Sequence, residues 1–195
     1  MPESDVAKAN HRPDDLVAAI LRDHAEIKKL FDNVASSPSG APRREAFEQL
    51  VRKLAVHEVA EEELVHPLTR RAGGGDAVAD ARLEEESKAK DLLAELEDMG
   101  VDDPEFGRRL ETVRSKVLAH AQHEEDEEHP RLEEAVGEER LRQLAGLFRA
   151  AEETAPTHPH PRGPESATGN LVVGPVAAVF DRARDAIRDA RQRSS

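Results

Sequence analysis

HEVAEEELVHP, residues 57–67, returns in outline as HAQHEEDEEHP, residues 120–130. Each stretch begins with a histidine, His57 or His120, and has a glutamate four residues on, Glu61 or Glu124. Each also ends in His-Pro at the same offset, His66-Pro67 and His129-Pro130. A helix advances about 100° per residue, so each His-x3-Glu pair lies one turn apart on a single face. Whether that face points to water or to the core decides what the repeat can do.

The surrounding periodicity makes it the core. From Asp14 to about Ala35, Val17, Ile20, Ile27 and Phe31 recur at helical spacing, and SSPSGAP breaks the pattern. A second helix is predicted from Pro42, suited to a first turn, to about Arg71, just before GGG. A third runs from an Asp76 cap to Met99-Gly100, and a fourth from Asp103-Pro104 to about His129. A short fifth covers roughly Glu138–Glu153. Long helices with short connections pack most simply as an all-α, antiparallel up-down-up-down four-helix bundle. The predicted layout is a polar lead-in at 1–13, the bundle with its fifth helix at 14–153, a Pro/Gly-rich linker at 154–175, and a C-terminal amphipathic helix at 176–195. Val176, Val179, Phe180 and Ile187 form the apolar side of that last helix, and it is expected to dock on the bundle.

In helix two the apolar stripe is Leu50, Leu54, Leu64 and Leu68, and His57 and Glu61 fall inside it. In helix four Phe106, Leu110, Val113 and Val117 lead into His120 and then Glu124. His24 lies between Ile20 and Ile27. Histidine and glutamate thus stand on three helices where leucine belongs. A buried carboxylate without compensation loses several kcal/mol or neutralises by a pKa shift, roughly speaking. Metal ions provide the compensation, and nitrogen and oxygen donors without sulfur suit iron, manganese or zinc.

The His-Pro endings read differently. His66 is nine residues from His57, about 900° or half a turn out of phase, and His129 has the same relation to His120. Both are expected to point away from the site, as helix-end residues beside a proline. His123 and Glu58 lie at the edges of their stripes and are secondary candidates for the metal. His158 and His160, in a Pro-rich stretch, read as part of a spacer, and His11 as exposed.

Composition narrows the function classes. The chain has 195 residues, 35% of them charged, with a formal charge of −13 and aromatics limited to five Phe. An acidic surface disfavours a nucleic-acid role and favours cations. The absence of cysteine removes thiolate zinc sites, iron–sulfur clusters and thiol nucleophiles. The N-terminal MPESDVAKANHRPDD has no apolar core for a signal peptide, and no apolar run approaches the roughly 20 residues that span a bilayer. A cytoplasmic protein without membrane contact is expected, with a homodimer allowed.

DHAEI around His24 and the two repeated stretches together resemble the hemerythrin-like, HHE cation-binding family over roughly residues 14–135, and the tail, PTHPHPRGP…NLVVGPVAAVFDRARDAI, resembles extensions on actinobacterial members. The resemblance implies a non-haem di-iron centre between four helices, and dioxygen or peroxide as the small ligand. It also implies that His24, His57 and His120 are terminal ligands, with Glu61 and Glu124 bridging the ions. The family usually offers a histidine from the third helix, whereas this chain reads LEEESKAKDLL there. Periodicity permits either Glu85 or Glu86, and alignment with the family pattern favours Glu86. A carboxylate in place of an imidazole stabilises the ferric state. That disfavours reversible oxygen storage and favours peroxide turnover, or redox-linked sensing of iron or oxygen.

Overall fold

The structure, a computed structural model, describes residues 14–154, 180–185, 188–189 and 192. The lead-in, the linker with His158 and His160, and Val176, Val179 and Ile187 lie outside the described residues. Within residues 14–154 seven α-helices follow in order: α1 (Leu16–Ser36), α2 (Ala41–Ala60), α3 (His66–Thr69), α4 (Gly75–Met99), α5 (Phe106–His123), α6 (His129–Ala135) and α7 (Glu138–Thr154). Single π-helical turns, Glu61–Val65 and Glu124–Glu128, join α2 to α3 and α5 to α6. Each joined pair is one continuous rod, so the bundle has four members and α7 packs on α1 and α2 as a fifth.

Local chemistry sets the ends. The Asp15 carboxylate accepts from the Ala18 amide at 2.9 Å and caps α1, which stabilises a helix by about 1 kcal/mol. Gly40, at φ 89°, turns the chain into α2, where a proline occupies the first turn. Its amide donates to Asp102 Oδ1 at 2.6 Å, and the Arg43 guanidinium donates to the Val101 carbonyl at 3.2 Å. The α1–α2 and α4–α5 connections therefore share one end of the bundle, as alternating helix directions require.

Two predicted starts are corrected. Asp76 does not cap α4: Gly74, left-handed at φ 73°, holds the cap position and Asp76 sits in the first turn. Gly75 begins that helix because a Cβ there would lie 1.8 Å from the Thr69 carbonyl oxygen. The fourth long helix begins at Phe106 and continues past His129 to Ala135. Asp103 instead accepts from the Glu105 amide at 2.7 Å and shapes the preceding turn.

Leu16, Ile20, Phe31, Leu50, Leu93 and Phe106 are among the buried side chains of a single continuous core. Each contributes about 1.5–3 kcal/mol of apolar burial. The α7 residues Leu144, Ala145 and Phe148 join it. At the C-terminus Phe180 and Ala183 are buried, so residues 180–185 dock on the bundle as helix. Among the described residues no helix is long and apolar enough to cross a membrane.

Candidate metal centre

Antiparallel packing brings the first halves of α1 and α4 level with the ends of α2 and α5. His24, His57, Glu61, Glu86, His120 and Glu124 are all buried at that level. One donor atom from each of His24, His57, Glu61 and Glu124 lies within 4.8 Å of the others, and the same holds for Glu61, Glu86, His120 and Glu124. Glu61 and Glu124 belong to both sets. Glu124 is the closest link: its two oxygens lie 3.1 Å from His24 Nε2 and 3.1 Å from His120 Nε2. His57 Nε2 is 3.4 Å from Glu61 Oε2.

The residues fit a cation. Both oxygens of Glu61, one oxygen each of Glu86 and Glu124, and Nε2 of His24 and of His120 are buried without a hydrogen-bond partner. Orphaned buried groups of this kind are rare unless something else satisfies them. Burial and the neighbouring Glu124, Glu86, Glu128 and Glu58 hold the Glu61 carboxyl well above the usual range. Burial also raises Glu86, against the pull of His66. Glu124 goes the other way: despite burial, His120 and His24 hold it well below its ordinary value. Burial opposes a proton on His24 and His120, yet Glu124 with Glu125 raises the first to about 9, and Glu124 with Glu85 the second to about 11. Protons thus gather where cations would be stabilised, and cation binding would release them.

A second layer of carboxylates faces the histidines. His24 Nδ1 is 3.2 Å from Glu125, His120 Nδ1 is 3.0 Å from Glu85, and His57 Nδ1 is 3.4 Å from Asp23. An ionised carboxylate can only accept, so in the two hydrogen-bonded pairs Nδ1 of His24 and of His120 carries the hydrogen and Nε2 faces the donor sets, while Asp23 stands beside His57 as an ion-pair partner. Asp23 is itself fixed by Lys53 at 2.7 Å. Burial opposes its charge, but His57 and Lys53 bring its carboxyl down to about 2. These outer carboxylates come from other helices or from beyond the stripe, so intrahelical spacing gives no sign of most of them; only the adjacency of Asp23 and His24 is a hint.

Two sequence expectations change. His66 and His129 point inward and are buried. The π turns are the reason: the His66 amide bonds to the Glu61 carbonyl and the His129 amide to the Glu124 carbonyl, five residues back. Each turn inserts one extra residue, so His66 stands about 80° from His57 rather than half a turn away. The prolines were the available signal, because a proline inside a helix needs a break in the hydrogen-bond ladder just before it. His66 Nε2 lies 2.7 Å from Glu86 and its Nδ1 2.8 Å from Glu128. His129 instead stacks on His24, ring centroids 6.2 Å apart.

His123 and Glu58 belong to neither donor set. His123, three residues past His120 and about 60° round the helix, is exposed and bonds Glu85 at 2.8 Å. Glu58 is buried, but its carboxylate faces Lys90 at 3.7 Å. The structure also separates the two glutamates of α4: Glu86 is buried in the second donor set, while Glu85 backs His120 and His123 from outside.

An uncharacterized hemerythrin-like protein of Schizosaccharomyces pombe is 28% identical over 169 residues, covering 86% of this chain and 83% of that protein. A DNA nickase of Nostoc is 28% identical over 150 residues, which cover 76% of this chain and 42% of that protein. Among solved structures, a hemerythrin HHE cation-binding domain-containing protein from Mycobacterium kansasii superposes with a TM-score of 0.65 at 20% identity. That match covers 71% of this chain and 85% of the other, and carries the fold. The family described as Hemerythrin HHE cation binding domain matches residues 15–132, the span that holds both donor sets, and the chain belongs to that family.

Proposed function

We propose that the chain is a non-haem di-iron protein that reacts with peroxide or dioxygen in an oxidative-stress or redox-linked role. His24 and His57 serve one ion and His120 and Glu86 the other, with Glu61 and Glu124 shared. One observation carries this reading: two four-donor sets have Glu61 and Glu124 in common. The donors are three imidazoles and three carboxylates, a set that stabilises the ferric state and favours a readily oxidised centre over an oxygen store. Zinc and manganese suit the same donors less selectively.

When bound, iron would supply electron transfer to and from the small oxidant. The chain's own residues do the rest. Asp23, Glu125 and Glu85 orient the three imidazoles. Phe148 stands against His57, 6.4 Å between ring centroids, and helps exclude water on that side. His66 lies 2.7 Å from Glu86 Oε1. Burial opposes its proton, but Glu128 and Glu86 raise it to about 10, so it presents a held proton beside the second position.

A sensor without turnover is the second reading, and the docked C-terminal segment next to Glu62 and Lys90 favours it. The formal charge of −13 argues against carrying DNA cleavage over from the nickase relative. The test is metal analysis with an optical spectrum, on protein purified without an affinity tag, followed by hydrogen peroxide. About two irons per chain and peroxide consumption well above that of free iron support the enzyme reading. Iron binding without turnover supports the sensor. Tightly held zinc with no redox response overturns both.

A further inference from the structure

A line of carboxylates leads from the surface inward to Glu86 of the second donor set. Glu62 is partly exposed, while Glu58 and Glu86 are buried. The Lys90 ammonium stands among all three: it is paired with Glu62, 3.7 Å from Glu58 Oε2 and 3.8 Å from Glu86 Oε2. Those distances are too long for hydrogen bonds. Glu58 Oε2 and Glu86 Oε2 are accordingly buried without a hydrogen-bond partner. Glu58, 2% exposed, thus aims an unsatisfied oxygen towards the position held by the Lys90 ammonium.

The C-terminal segment closes this line from outside. The Phe180 ring centroid lies 5.1 Å from the Lys90 ammonium. Arg184 donates to Glu62 Oε2 at 2.9 Å, and Arg188 to Glu63 Oε1 at 3.2 Å. We propose that Glu62, Glu58 and Glu86 form the access path by which a divalent cation reaches the centre, with Lys90 as its resident cation and Phe180, Arg184 and Arg188 as its cover. The proposal rests on the metal-centre reading above. A divalent cation leaving water for a buried site needs oxygen donors at each step. The flexible four-carbon stem of lysine lets its ammonium withdraw as the metal passes.

Full-length, metal-free protein tests this with cobalt(II), followed by visible absorption on uptake and by chelator extraction on release. Phe180→Ala combined with Arg184→Ala is expected to speed both processes by about threefold to tenfold, the range of a lost cation–π contact and ion pair. The amount of cobalt bound should stay the same. Glu58→Gln is expected to slow uptake by a similar factor, again with the amount unchanged. Rates indifferent to both variants overturn the path, and a lower cobalt content in Glu58→Gln overturns it by making Glu58 a ligand. In the metal-free protein, acylation of Lys90 by a small amine-directed reagent, read by mass spectrometry, should rise in the Phe180→Ala/Arg184→Ala variant. An unchanged rate overturns the cover. A wild-type chain that binds no cobalt overturns the metal centre itself and the path with it. A chain that binds cobalt normally but ignores both variants overturns the path alone.

Discussion

His66 and His129 occupy the same offset of the same repeat, each just past a π turn and just before a proline. Their environments are opposite. His66 is gripped at both nitrogens by carboxylates from α4 and from the second π turn, Glu86 and Glu128. His129 lies flat on His24. Burial opposes charge in both, but two carboxylates raise His66 to about 10. At His129 burial dominates, the His24 charge adds to it against Glu124 and Glu128, and its pKa falls to about 4. A repeated motif thus fixes where a side chain points, while the facing helix decides what it does there. Helix α4 brings Glu86 to one copy, and the other copy meets a histidine of α1.

The largest expected effect falls on what the two copies share. Glu61→Gln and Glu124→Gln each remove a donor common to both sets, so the double variant should drop from about two ions per chain towards none. Metal analysis after gel filtration checks this. Retention of one full ion in the double variant would mean that the two sites are built independently and that the symmetry of the repeat misleads.

Next come the two histidines. His66→Ala leaves Glu86 and Glu128 buried with their shared cation gone, which should cost about 3–5 kcal/mol in the metal-free protein. His129→Ala leaves only a cavity beside His24 and should cost about 1–3 kcal/mol. Denaturant unfolding of the two variants measures the gap. Equal losses would show that the hydrogen bonds at His66 contribute nothing beyond packing.

The same pair predicts opposite pH dependence in the metal-free chain. His66 has a folded pKa raised from 6.5 to about 10, so its contribution is complete below 6.5 and is lost as pH rises through about 10. His129 has a folded pKa depressed from 6.5 to about 4, so its contribution is complete above 6.5 and is lost as pH falls through about 4. The stability gap between wild type and His66→Gln should therefore narrow in alkali. His129→Leu, which takes up no proton, should lose less stability in acid than the wild type. Melting curves across that range test both signs, and a His66→Gln gap that widens in alkali would sink the assignment.

Much of this was legible in the sequence, for definite reasons. The helical bundle followed from apolar residues at helical spacing, such as Ile20, Ile27 and Phe31 in α1, because a surface helix must bury one stripe. The inward face of His57, Glu61, His120 and Glu124 followed from the same phase arithmetic. That arithmetic failed at His66 and His129 because it assumes an unbroken α-helical ladder, and Pro67 and Pro130 break it. Asp23, Glu128 and Lys90 were overlooked for another reason. Their roles depend on which helices face each other and at what height, and no spacing within one helix encodes that. Docking of the C-terminal segment was legible in part: Phe180 is buried and Arg184 meets an acidic residue of the bundle, as its amphipathic pattern suggests.

The smallest expected effect concerns the prolines themselves. Proline donates no backbone hydrogen bond, so Pro67 and Pro130 favour the π turn by excluding the ordinary α ladder. Replacing either with alanine restores a donor and lets the turn relax to α-helix, which would swing the preceding histidine by about 100°. At Pro67 that swing would break the bonds from His66 to Glu86 and Glu128, at 2.7 and 2.8 Å. The π turn should therefore persist in Pro67→Ala, with stability and metal content within about 1 kcal/mol and unchanged stoichiometry. At Pro130 only ring stacking at 6.2 Å resists. Pro130→Ala should accordingly shift the His24 environment more, visible as a larger change in the spectrum of the loaded protein and in amide exchange at residues 124–129. If Pro67→Ala is the more disturbed of the two, proline and not the facing carboxylates holds His66 inward.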